Sequence, residues 1–118
     1  MIEFSERGQG NALGFTMKGK LSDEDYQKLI PVLEAAIASF GKIRLHVQFK
    51  DFHGWDLGAL WDDFKFGLAH KRDIERIAMV GENRIEEWMA KISKPFTSGE
   101  VRYFDSVDVE AAWIWVEA

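Results

Sequence analysis

Apolar and polar residues alternate with period two over residues 43–50, where Ile43, Leu45, Val47 and Phe49 are interleaved with Arg44, His46, Gln48 and Lys50. That period predicts a strand with one apolar face. From Leu57 the period changes. Leu57, Leu60, Trp61, Phe64 and Leu68 recur at the helical spacing and share one side of a helix. Asp56 stands just before it, where its carboxylate can accept the first free backbone N–H groups. Between the two elements, Asp51 to Asp56 reads as a tight polar loop.

The same two periods organise the rest of the chain. Residues 2–5 and 12–19 predict two strands of a hairpin around the Gly-containing turn at 6–11. Ser22 then caps a helix with an acidic first turn (Asp23, Glu24, Asp25) and a stripe of Tyr26, Leu29, Ile30, Leu33, Ile37 and Phe40. Gly41 stops it. Pro31 falls inside this pattern and predicts a kink or a later start. Residues 74–81 predict a strand, and Asn83, with Glu86 three residues on, opens a helix carrying Ile85, Trp88, Met89 and Ile92. Residues 100–104 predict the last strand. A helix from about Ser106 places Val109, Ala112, Trp113 and Val116 on one face.

The order is ββαβαβαβα, a single α/β domain over residues 1–118. Alternating strands and helices imply parallel pairing with right-handed crossovers. A sheet covered on both sides has continuously apolar strands. The strands at 12–19 and 43–50 alternate instead, which predicts a mostly parallel sheet with helices mainly on one face and no topological switch point. By strand parity the other face carries Lys18, Arg44, His46, Lys50, Arg76 and Arg102. Such a solvated basic surface suits lipid headgroups or an acidic partner.

Composition narrows the function. The chain has 118 residues, 47% of them hydrophobic, enough for one core. It has no cysteine, which excludes disulfides and thiolate metal sites and fits a cytoplasmic location. Residues 1–10 lack the basic and apolar regions of a secretory signal, and no apolar run approaches the roughly 20 residues that span a bilayer. Membrane contact is therefore expected to be peripheral at most. The net charge of −5 argues against nucleic acid.

Candidate chemistry is sparse. His46, His53 and His70 fall in no metal-ligand spacing, so no metal is expected. Asp51, His53 and Asp56 follow the central strand, where parallel sheets bind ligands, and a His between carboxylates suits a general base. No nucleophile or Gly-rich phosphate loop accompanies them, and turn and cap chemistry accounts for them. No catalytic residue and no cofactor are expected. The aromatic cluster says more. Trp55, Trp61, Phe64 and Phe66 lie close in sequence, with Trp88 and Met89 on the next helix. Most should be core. Phe66 falls roughly opposite the apolar stripe, and Trp115 points away from Trp113, so both are expected at the surface. Exposed aromatics suit a dimer contact, a pocket lip or a membrane-facing patch.

Three stretches carry a family resemblance: the opening that ends LSDEDYQKLIPVLEAAI, the central IRLHVQFKDFHGW with its aromatic helix, and KRDIERIAMVG followed at the end by VRYFDSVDVEAAWIWV. Together they resemble the SpoIIAA-like branch of the STAS-domain fold, small bacterial domains related to anti-sigma-factor antagonists. In phosphorylation-switched members the helix after the third strand opens on an Asp-Ser-Ser-Gly-like segment. Here Asp56 is kept, Leu57 and Gly58 replace the hydroxyls, and no Ser or Thr occurs from Gly41 to His70. The resemblance implies a non-catalytic domain that binds an apolar or lipid-like ligand or a membrane surface. Trp55, Leu57, Trp61, Phe64, Trp88 and Met89 would line its site, between the helices at 56–69 and 84–94. A homodimer belongs to the same expectation. The alternative is a regulatory protein–protein interaction module of STAS type that lacks the phosphorylatable Ser.

Overall fold

The computed structural model describes residues 1–82 and 99–118. The elements run in the order β1 (Ile2–Phe4), β2 (Ala12–Leu21), α1 (Asp23–Phe40), β3 (Ile43–Trp55), α2 (Leu57–Ala69), β4 (Ile74–Gly81) and β5 (Glu100–Asp105). A 3-10 turn at Ser106–Asp108 then leads into α3 (Val109–Glu117). The expected helix at 84–94, with Trp88 and Met89, lies outside the described residues.

The five strands lie side by side in chain order, β1 antiparallel to β2 and every later pair parallel. Sequential order leaves no switch point, as the alternating strands implied. Crossovers of one hand place α1 and α2 on the same face. There Tyr26, Leu29, Leu33 and Ala59 join Phe15, Met17, Leu45, Val47, Phe49 and Met79 in the main core.

Local sequence explains the helix ends. Ser22 Oγ accepts from the Asp25 N–H, and the Asp25 carboxylate accepts from the Ser22 N–H, a reciprocal capping box. The start is therefore fixed at Asp23, and the helix continues past Pro31, which lies exposed on the outer side. Gly41, at φ 80°, ends it. Asp56 Oδ1 accepts from the Ala59 N–H at 2.8 Å and caps α2.

Two expectations are corrected here. The stretch from Asp51 is no loop: β3 continues to Trp55, and Phe52, Gly54 and Trp55 pair with Gly19, Lys20 and Leu21. Asp51, at φ 49°, and His53 are extra residues in that register, two bulges that keep Phe52 and Trp55 against the core. The second correction concerns the far face of the sheet. There α3 packs over β3, β4 and β5, and His46 is buried at 2% exposure with its ring stacked on Trp113, 4.3 Å between centroids. A second apolar cluster of Ala12, Ala78, Val80, Ala112 and Val116 closes this face. Alternation misled because the residues opposite the main core are small as well as polar. Ala12, Gly14 and Ala78 leave room for a helix to lie close.

Candidate functional site

Helix α2 follows the capped turn at Asp56 and lies beside α1, but its apolar stripe does not close onto the sheet. Leu57 is 86% exposed, Trp61 58% and Phe64 39%. Among the described residues, the stripe instead faces a cavity of about 580 Å³. Its floor is the sheet, with Phe15, Met17, Leu45, Val47, Phe49, Ile77 and Met79. One wall is α1, with Tyr26, Leu29, Ile30 and Leu33, and the other is α2, with Leu57, Leu60, Trp61, Asp63, Phe64, Phe66 and Gly67. The volume lies in the range of small-molecule pockets, and the lining is apolar with a few converging polar groups, as such pockets are.

Those polar groups form a line. The Trp55 indole N–H donates to the Tyr26 hydroxyl oxygen at 2.8 Å, and the Tyr26 O–H donates to Asp63 Oδ1 at 3.1 Å. Burial, followed by the negative charge of Asp63, pushes the Tyr26 phenol far above its ordinary range. Asp63 lies on the cavity wall and keeps accessible surface. Burial raises its carboxyl above the ordinary value, and the Tyr26 hydrogen bond offsets only part of that. The neighbouring Asp62 is raised as well, first by a hydrogen bond with Asp23 and then by burial.

Of the residues expected to line a site, Trp55, Leu57, Trp61 and Phe64 all lie on this cavity. Trp88 and Met89 fall outside the described residues. Tyr26 and Asp63 were missed. Asp63 flanks the stripe at Leu60 plus three, and a carboxyl at the edge of an apolar stripe was the available signal. Phe66, expected at the surface, is half-buried against the main core, with its ring 4.6 Å from that of His70. Trp115, also expected outside, is half-buried. The Arg76 and Arg102 guanidinium carbons lie 5.3 and 5.1 Å from its ring centroid.

Part of the expected basic surface is engaged by α3. Arg44 Nη1 donates to the carbonyls of Val116 (3.1 Å) and Ala118 (2.8 Å), and Arg76 Nη1 to that of Trp115 (2.8 Å). These bonds satisfy helix-end carbonyls and place cations at the negative end of the helix dipole. Arg44 also pairs with Glu75, and Lys18 with Glu3, each at 3.0 Å. Arg7 pairs with Glu110 and lies over the Trp113 ring.

The start of α2 bears on the phosphorylation question. A Cβ added to Gly58 would lie 3.1 Å from the Asp23 Cβ and 3.5 Å from Asp56 Oδ1. The turn is thus crowded and acidic, a poor setting for a phosphate.

A family model described as SpoIIAA-like matches residues 12–117. The chain belongs to the SpoIIAA-like family. The match includes the cavity floor, both helical walls and α3. Among solved structures, the chain is similar to an uncharacterized protein of the DUF3478 family, with a SpoIIAA-like fold, from Shewanella loihica PV-4. The two are 34% identical over 98% of this chain and 93% of that one, with a TM-score of 0.83. None of the curated proteins matches. The SpoIIAA-like fold and the single α/β domain with its mostly parallel sheet agree with the sequence reading. Among the described residues, no helix is long and apolar enough to cross a membrane.

Proposed function

We propose that this SpoIIAA-like domain is a non-catalytic binding module for an apolar or lipid-like ligand, held between α1, α2 and the sheet. The cavity of about 580 Å³ is the observation that carries this reading. An acyl chain suits such a space, because each buried CH₂ contributes about 0.8 kcal/mol and needs no directional partner. Leu57 and Trp61, both exposed on α2, supply apolar surface beside the opening, through which a ligand could pass from a membrane surface. The Asp63–Tyr26 pair has a general-acid look, but no nucleophile stands among the described lining residues, and this favours binding over turnover.

The exposed stripe also favours a second reading, the regulatory protein–protein module without a phosphorylatable Ser. A partner helix laid along Leu57, Leu60, Trp61 and Phe64 would bury the same surface. Titration with long-chain amphiphiles and with liposomes, followed by Trp emission, tests the first reading. Saturable blue-shifted emission that weakens in Trp61→Ala is expected. No spectral change and no co-flotation with liposomes would remove the lipid reading and leave the protein partner.

A further inference from the structure

Asp63 is an unusual group for an apolar wall, and its surroundings bear on what the cavity accepts. Resting on the reading of the cavity as a ligand site, we propose that its occupant is a long-chain molecule whose head donates hydrogen bonds, an alcohol or an amine. Asp63 then selects that head over a fatty-acid anion.

The geometry points this way in three steps. First, no Lys, Arg or His is among the described residues that line the cavity, and Asp63 is the carboxyl that does. A fatty-acid carboxylate would find no cation among the described lining residues and would meet a like charge at Asp63. Second, the hydrogens of the polar line are committed. An indole N–H can only donate, so the Tyr26 oxygen must accept from Trp55 and spend its own hydrogen on Asp63 Oδ1. With Asp63 ionised, no donor of the line is left over for an anionic head. The second Asp63 oxygen has no protein partner among the described hydrogen bonds and remains as an acceptor beside the cavity. Third, the flank is acidic. Asp62 carries an oxygen that is buried without a hydrogen-bond partner, and it lies against Asp23. Lys65 is a nearby cation, and it reaches toward Asp62, 3.9 Å away, and is not among the lining residues. A hydroxyl or ammonium head satisfies what this wall leaves open. An ester or a carboxylate does not.

Four probes with ten-carbon chains separate the alternatives at pH 7.5, kept below their solubility limits and, for the charged ones, their micelle concentrations: decanol, decylamine, methyl decanoate and decanoate. Binding to the whole chain is read by Trp emission and calorimetry. Decanol and decylamine should each bind at least about tenfold more tightly than decanoate, and decanol more tightly than methyl decanoate, whose head only accepts. In Asp63→Asn the amide can donate to an anion while still accepting from Tyr26. The gap between decanol and decanoate should then shrink to about threefold or less, mainly because decanoate gains. Asp63→Ser gives the same comparison should the amide disturb folding. If decanoate binds the wild type as tightly as decanol, the proposal is overturned while the ligand-site reading stands. A ranking that survives unchanged in both variants overturns Asp63 as the selecting residue. If none of the four probes binds, the ligand-site reading fails and this one fails with it.

Discussion

On one face of the sheet α3 lies close, because the strands beneath it present Ala12, Gly14 and Ala78, and Trp113 fills what remains. On the other face Phe15, Met17, Val47, Phe49 and Met79 stand up from the same strands, and α1 and α2 bridge them without closing the space between. Among the described residues, the bulkier face is the more open one. Close packing depends on matched shapes rather than on the amount of apolar surface, and small residues under a helix bring backbones together. The α3 side is also tied by polar bonds, since Arg44 and Arg76 hold the last carbonyls of that helix. The α2 side shows its N-cap, the Tyr26–Asp63 bond and few contacts onto the sheet. Stability and the proposed binding capacity are thus divided between the two faces.

The largest test of that division compares two tryptophans. Trp113 is 4% exposed, stacked on His46 and overlaid by Arg7. Trp113→Ala should cost about 3–5 kcal/mol, the range for deleting a buried aromatic. Trp61 is 58% exposed on the cavity side. Trp61→Ala should cost under about 1 kcal/mol, as surface changes do. Urea unfolding followed by far-UV circular dichroism measures both. Equal losses would mean that α2 packs as tightly as α3 and that the cavity closes in solution.

A smaller effect probes the close approach itself. A Cβ on Gly14 would lie 2.5 Å from two atoms of the Trp113 ring and 3.2 Å from the Ser5 Cβ. The indole has little freedom to retreat, being stacked on His46. Gly14→Ala should therefore destabilise by about 1–3 kcal/mol, the usual cost of overpacking. A neutral or stabilising outcome in the same unfolding assay would show that α3 can shift outward and that the contact is loose.

How far the sequence foretold these two faces follows from what each signal measures. Strands, helix caps and chain order were legible, because Ser22 and Asp56 satisfy backbone groups within a few residues and the periods are local. The second helix layer was not. Alternation at Arg44, His46 and Gln48 shows which residues are polar, whereas Arg44 turned out to be an anchor for a helix some seventy residues later. The bulges at Asp51 and His53 were hidden for a related reason: a polar bulge and a polar loop have the same composition, and only pairing with β2 distinguishes them. For the cavity, Trp55, Leu57, Trp61 and Phe64 were legible from the apolar and aromatic pattern. Tyr26 and Asp63 were not, since they meet across two helices 37 residues apart.

The smallest expected effect is linked to pH and again contrasts the faces. Burial lowers the pKa of His46 below its ordinary value of 6.5, hydrogen bonding with the backbone at Val109 and His46 offsets part of that, Arg7 lowers it further, and Glu110 raises it. A base whose pKa is lower in the folded state stabilises the fold fully above its unfolded pKa. That contribution is lost as pH falls from about 7 through the unfolded value toward the folded one. Asp62 and Asp63, on the cavity side, are both raised and act with the opposite sign: their carboxyls favour the fold when protonated, and that support is lost as pH rises. The two faces therefore pull the pH profile in different directions, and the wild-type curve alone does not separate them. His46→Phe keeps a ring to stack on Trp113 and removes the titration. The stability difference between wild type and His46→Phe, measured by urea unfolding from pH 7.5 down to 5, should shift against the wild type as pH falls. Parallel profiles across that range would mean that His46 titrates at its ordinary value inside the fold, and that water reaches the α3 face as freely as the cavity.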